Sequence, residues 1–521
     1  MTTTRTKTAA SVLAAIGLAA TGCGGGTAGG SGDDTVTIAI SADPGSLNPM
    51  TAVVTNGLSM NRFAYDSLVH QDASGATVPG LAERWTATTT SAEFTLRKGV
   101  TCQDGSELTA SDVAAAYNHV ADPANSSPLL GLGVPPTAKA TADDATRTVK
   151  VTSTRPAPFF VEMSRLLPIP CEKGLADPKA LARTSDGTGP YRLTEAVPGD
   201  HYTYVKRDGY AWGPAGASGA ELPGKVVFKV VANESTAVNL MLSGAVQAAK
   251  VTGPDRQRLE SAKAVAHGST LVLGELLFNE ASGHPTADLP VRRALVGALD
   301  LTQIGHVASG GIGKPATNLG EIPPTPCTGD TVAGNVPPYD AARAAAALTE
   351  AGWTKSGDGW TKDGKPLTIT FGYPGTEGQR IVSAAELAVQ QWTALGVKVT
   401  TKSMDQATVV TTLASGGWDV AWAPLNVNLP DQLTPFFDGP VPPKGTNFGH
   451  IDNPDYQRHV AKAAARPGKE GCADWDAADA ALIKRLDVVP FVTDPRTMYG
   501  IGVDFRYDGA IVPTSLRRTT R

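Results

Sequence analysis

The groups through which this chain could break bonds or hold a metal are eight histidines, five cysteines and fifty acidic residues, and their spacing decides what they can do. There is no G-x-S-x-G elbow, no H-E-x-x-H and no S-x-x-K, so the local marks of serine hydrolases, zinc proteases and penicillin-recognising enzymes are missing. The closest histidines, His450 and His459, are nine positions apart and do not fall on adjacent turns of one helix face, so no metal site is expected. GGIGKP at Gly310 to Pro315 has Ala308 where a phosphate loop needs its first glycine and Pro315 where it needs Ser or Thr, which excludes a nucleotide site. The acidic residues are plentiful and unordered in sequence, which leaves a glycosidase pair open. Cys102, Cys171, Cys327 and Cys472 lie in no C-x-x-C. In an oxidising compartment their even number suits disulfides, with three pairings possible. No cofactor is called for.

The elements that would position a site alternate between strand and helix. Thr35 to Ser41 (TVTIAIS) reads as a strand entering ADPGSLNP, a polar turn containing Asn48 where a ligand could be met. Glu93 to Arg97 and Thr146 to Thr152 read as strands around a helix that Thr109 and Asp112 cap. Val226 to Val231 is a strand and Ser235 to Leu242 a short helix. Leu367 to Phe371, a helix over Glu377 to Leu395 stopped by Gly396, and Val397 to Thr401 form a β-α-β unit, which implies parallel strands. Trp418 to Ala423 (WDVAWA) reads as a further strand whose end would open on a crevice. In strict alternation Trp418 and Trp422 share a face, and in a chain with 8 Trp among 521 residues they are candidate ligand contacts.

Composition narrows the partners. A net charge of -5 lacks the basic excess of a nucleic-acid binder. A length of 521 residues provides for several domains, and a mean hydropathy of -0.10 fits a soluble body. The start is a processing segment: Arg5 and Lys7, an apolar stretch over Ala9 to Ala20, then small residues leading into Cys23. It resembles a bacterial lipoprotein signal, over residues 1–22, in which Cys23 would be acylated and residues 23–34 would form a flexible tether.

Several segments, in order, resemble the bacterial extracellular solute-binding proteins of family 5, the peptide- and nickel-type receptors of ABC importers. They are DPGSLNP at Asp43, YDSLVHQDASGATVPGLAERW at Tyr65, FTLRKGVTCQDGSELTASDV at Phe94, GTGPYRL at Gly187, NESTAVNLMLSGAV at Asn233, LPVRRALVGALDLTQI at Leu289 and YDAARAAAALTEAGW at Tyr339. The resemblance implies an α/β, two-lobed periplasmic-binding-protein-like fold of the class II type with an extra inserted subdomain. Lobe I would have an inner part (35–58, 187–281 and 489–521) and an inserted outer part (59–186), and lobe II would be 282–488. Cys102 with Cys171 and Cys327 with Cys472 then pair within lobes. The function implied is capture of an extracellular oligopeptide or modified peptide by a monomeric lipoprotein on the outer face of the cytoplasmic membrane. Delivery would be to an ABC permease and its ATPase. An exported hydrolase or a chaperone-like binder is the alternative. In the family's peptide-binding branch an Asp receiving the ligand's ammonium follows the motif strand. Counted from Asp419, that place falls on Asn428, with Asp431 as a substitute. The expected ligand contacts are therefore Trp422, Asn426, Asn428, Asp431, Trp418 and Asn48.

Overall fold

Runs of alternating β-branched residues build the sheet on which the molecule is organised. The computed structural model describes residues 34–52, 55–320, 322–405 and 408–519. TVTIAI forms β1 (Thr35–Ile40), and α1 (Thr55–Ala64) lays Met60, Phe63 and Ala64 on the sheet beside it. A separate antiparallel sheet follows, made of β2 (Ala82–Ala87), β3 (Ser91–Leu96), β4 (Lys139–Asp143) and β5 (Thr148–Thr152) in the order β2-β3-β5-β4. It is covered by α2 (Ala110–Ala121). At the start of α2, Asp112 N–H donates to the Thr109 hydroxyl (3.1 Å) and Thr109 N–H to the Asp112 carboxylate (2.8 Å), the reciprocal cap that the T-x-x-D spacing predicts.

The chain then contributes β6 (Tyr191–Val197), β7 (His201–Lys206), β8 (Lys225–Val230), α3 (Glu234–Ser243), β9 (Ala248–Lys250) and the long β10 (Val265–Phe278). After α4 (Leu289–Gly297), α5 (Leu301–Ser309) and α6 (Ala341–Glu350), the expected β-α-β unit appears as β11 (Thr368–Tyr373), α7 (Gln379–Leu395) and β12 (Lys398–Ser403). Its strands pair in parallel from Thr368 with Lys398 to Tyr373 with Ser403. β13 (Val420–Trp422), α8 (Pro454–Ala464), α9 (Cys472–Lys484) and β14 (Val488–Gly500) complete the set.

The main sheet has ten strands in the order β12-β11-β13-β10-β14-β9-β1-β8-β7-β6. β10 and β14 run antiparallel through its middle from Val265 opposite Gly500 to Leu277 opposite Val488. The chain passes between the two halves of the sheet along them. At one end of the pair the guanidinium of Arg292, 0% exposed, bridges Glu280 and Asp487 at 3.1 Å each and donates to the carbonyls of Thr286 and Arg485. No described helix is long and apolar enough to cross a membrane.

One expectation is corrected. The strand at WDVAWA starts at Val420, because Gly416 and Gly417 turn the chain and the Trp418 amide bonds the Gly416 carbonyl at 2.9 Å. Alternation therefore does not reach back to Trp418, and the two tryptophans pack into different core clusters.

Both expected disulfides, Cys102–Cys171 and Cys327–Cys472, are present, closing loops of 69 and 145 residues. Replacing Cys327 and Cys472 together by serine is expected to lower stability by about 2–4 kcal/mol through release of the unfolded chain. Guanidinium denaturation reads this, and an unchanged midpoint contradicts it.

Candidate functional site

The face of α1 turned from the sheet carries Leu58, Asn61 and Arg62, and it borders a partly open cavity of about 250 Å³. The cavity is completed by Tyr65, Asp66, Ser67, His70 and Gln71, by Leu129 and Leu132, by Arg165, Leu166 and Pro168, by Asn428, and by Asp508 with Val512, Pro513 and Thr514. These segments are far apart in sequence, and backbone close approaches bring them together. Gly189 lies so near the end of α1 that a Cβ there would meet the Ala64 carbonyl carbon at 2.5 Å, so the GTGP turn must be glycine for Tyr65 and Asp66 to sit where they do.

The polar lining is unevenly satisfied. Arg62 forms an ion pair with Asp508, with Nη2 donating to Oδ2 at 3.1 Å. Asp66 accepts from Tyr210 Oη (3.2 Å) and Trp212 Nε1 (3.1 Å), and burial pushes its carboxyl up to about 7. Burial, followed by the charge of Arg62, lowers His70 to about 3, so its ring is neutral. Asn61 Nδ2, His70 Nε2 and Gln71 Oε1 are buried with no hydrogen-bond partner among the described residues. Such groups are costly unless something else satisfies them.

Of the six expected contacts, Asn428 lines this cavity. The others are placed as follows. Trp422 is 1% exposed, stacks edge-on against Phe491 at 5.2 Å, and donates from Nε1 to the Leu273 carbonyl at 2.8 Å. Asn426 pairs with both backbone groups of Val272 at 3.0 Å. β10 bulges between Val272 and Gly274, so these two side chains satisfy main-chain groups at the irregularity. Trp418 donates from Nε1 to the Leu413 carbonyl at 3.0 Å. Asn48 holds its own turn, accepting from Met50 N–H (2.9 Å) and donating to the Pro178 carbonyl (2.8 Å). Asp431 has a buried Oδ1 without a partner among the described residues, and burial together with the Glu162 carboxylate pushes it up to about 7.

The loop bearing Asn428 is fixed from both sides. Val427 N–H donates to Gly320 O and Ile322 N–H to Val427 O, both at 2.7 Å, while Gln432 Oε1 accepts from the amides of Asn428 and Leu429. Asn61, His70, Gln71 and Arg165 were not foreseen. The available signal was a set of polar residues interrupting apolar runs, which sequence alone does not distinguish from a solvated face. On the other side of α1 a second, more open depression of about 490 Å³ lies at the carboxyl ends of β1, β8 and β9, bordered by Lys250 and Arg496.

The mixed α/β body, built on one ten-stranded sheet, carries a recessed cavity lined by both polar and apolar side chains, the form of a site that holds a small solute. The model of the bacterial extracellular solute-binding proteins, family 5 (middle), matches residues 76–439, and the chain belongs to this family. It is 26% identical over 481 residues to the periplasmic murein peptide-binding protein MppA of Escherichia coli K12, covering 87% of this chain and 86% of that protein. It is also 26% identical over 381 residues to the glutathione-binding protein GsiB of Shigella flexneri, covering 71% and 70%. A substrate-binding protein from Microbacterium hydrocarbonoxydans, solved with 4-hydroxybenzoate hydrazide, superposes with a TM-score of 0.71 at 26% identity over 93% of this chain and 100% of that one. These relatives are binding proteins.

Glu275 ties the Asn428 loop to β10 by accepting from Leu425 N–H at 3.2 Å, and its Oε2 has no partner among the described residues. Burial raises this carboxyl from 4.5 to about 8. The unfolded chain therefore loses the proton first as pH rises, and Glu275 takes stability away between about pH 4.5 and 8. Glu275→Gln is expected to melt above the parent at pH 9 and no higher than it at pH 4, and a parallel pH profile for the two contradicts this reading.

Proposed function

We propose that this chain is the receptor lipoprotein of an ABC importer, capturing an extracellular oligopeptide or modified peptide between two lobes and delivering it to a membrane permease and its ATPase. The single observation that carries the reading is the recessed cavity with unsatisfied buried polar groups in a chain of family 5. The peptide class is supported by two relatives, one a murein peptide-binding protein and the other a glutathione-binding protein.

In this reading residues 35–58, 187–281 and 489–521 form the inner part of lobe I, 59–186 its outer part and 282–488 lobe II. The crossings at 281 and 489 fall beside the ends of β10 and β14, so the strand pair is the pivot. The anchor is Cys23, which lies outside the described residues, as do the signal over 1–22 and all of the 23–34 tether but its last residue, Asp34. An acyl chain there keeps a monomeric body on the outer face of the cytoplasmic membrane. The solute's amino terminus is not held by the usual ion pair, because Asn428 is uncharged and Asp431 is buried beside a second carboxylate.

Mass spectrometry of small molecules released from the purified protein tests this. A peptide-like mass, bound again on return and recovered unchanged after long incubation, is expected. Release of hydrolysis products on incubation would replace the receptor reading by the exported-hydrolase one.

A further inference from the structure

The cavity beside α1 contains one cation that the protein leaves unused. Arg62 is held by Asp508. Arg165 lines the same space, yet its guanidinium has no hydrogen bond and no ion pair within 4 Å among the described residues. The Arg165 backbone is held in place, since Ser67 Oγ donates to the Arg165 carbonyl at 2.9 Å. Burial lowers the Arg165 guanidinium from its ordinary value and Arg62 adds to the effect, while Asp508 and Glu162 only partly offset them. In the same lining, Asn61, 2% exposed, has an amide nitrogen with no hydrogen-bond acceptor among the described residues. Unused donors at one cavity, one of them a full charge, fit an oxyanion.

We propose that Arg165 is the anion anchor of this cavity, taking a carboxylate of the captured solute with the Asn61 amide as the second donor. On the His70 side of the lining His70 is neutral and the acidic group is Asp66, whose Oδ1 lies 3.6 Å from His70 Nε2 and whose charge is reduced by the burial that pushes its carboxyl up to about 7, while Asp508 is engaged by Arg62. The proposal rests on the reading of the chain as a peptide receptor and specifies which end of the peptide, or which side chain, the cavity reads.

Equilibrium dialysis of the purified full chain, with bound material quantified by mass spectrometry, separates the possibilities. Three probes are used: tripeptides of uncharged side chains as free acids, the same tripeptides as C-terminal amides, and amides carrying one Asp or Glu. The free acids are expected to bind at least about tenfold more tightly than the uncharged amides, the scale of a buried charge pair losing one partner. Arg165→Gln should abolish that preference and Arg165→Lys should keep part of it, both melting with the parent. If Arg165→Gln melts lower, Asn61→Asp is the second variant, expected to weaken the free acids and leave the uncharged amides unchanged. Preference for the acidic amides, with the same dependence on Arg165, assigns the anchor to a side-chain carboxylate and sustains the proposal. Equal binding of the three probes, or a preference that survives both Arg165→Gln and Asn61→Asp, overturns the anchor while peptide capture stands. Binding of none of them overturns peptide capture and the anchor together.

Discussion

The antiparallel pairing of β10 with β14 is the constraint from which the rest of the molecule hangs. Both halves of the ten-stranded sheet are joined through this pair. Its end is clamped by Arg292 between Glu280 and Asp487, with Asn453 donating to Asp487 at 2.7 Å. Burial, and for Glu280 the neighbouring Asp487, hold both carboxyls above the usual carboxylate range. A buried group of this kind adds little net stability, but loss of one member leaves an uncompensated charge and costs about 3–5 kcal/mol. Its effect is to fix where β10 ends and β14 begins.

The bulge in β10 shows how the same constraint allocates side chains. Extra backbone between Val272 and Gly274 leaves main-chain groups out of register, and Gly274 has no room for a side chain because a Cβ would lie 2.4 Å from the Phe491 ring. Trp422 and Asn426 supply the missing partners. Having done so, they hold the following loop against β10, with Gly320 on its other side, and Asn428 is thereby carried to the cavity. The residues that look most like ligand contacts thus position one that reaches the site.

Local chemistry was legible in the sequence. The Thr109 cap, the parallel β11–α7–β12 unit ended by Gly396 and the two disulfides all follow from short-range patterns or from the order of motifs. The cavity was not legible, because its walls come from α1, the 129–132 and 165–168 segments, residue 428 and the 508–514 segment, which no periodicity connects. Trp418 and Trp422 were placed on one face by assuming an unbroken strand, and a two-glycine turn broke it. Arg165 stands alone among Ser164, Leu166 and Leu167, and a single polar residue in an apolar run does not distinguish a cavity lining from a solvated face.

The central claim is that the solute sits between the outer face of α1, Arg165 and Asn428. A crystal structure of the protein as purified, with its bound solute retained, tests this directly. The account predicts solute density spanning from Asn61 and Arg165 to Asn428. Density instead in the depression at the carboxyl ends of β1, β8 and β9, beside Lys250 and Arg496, would contradict it.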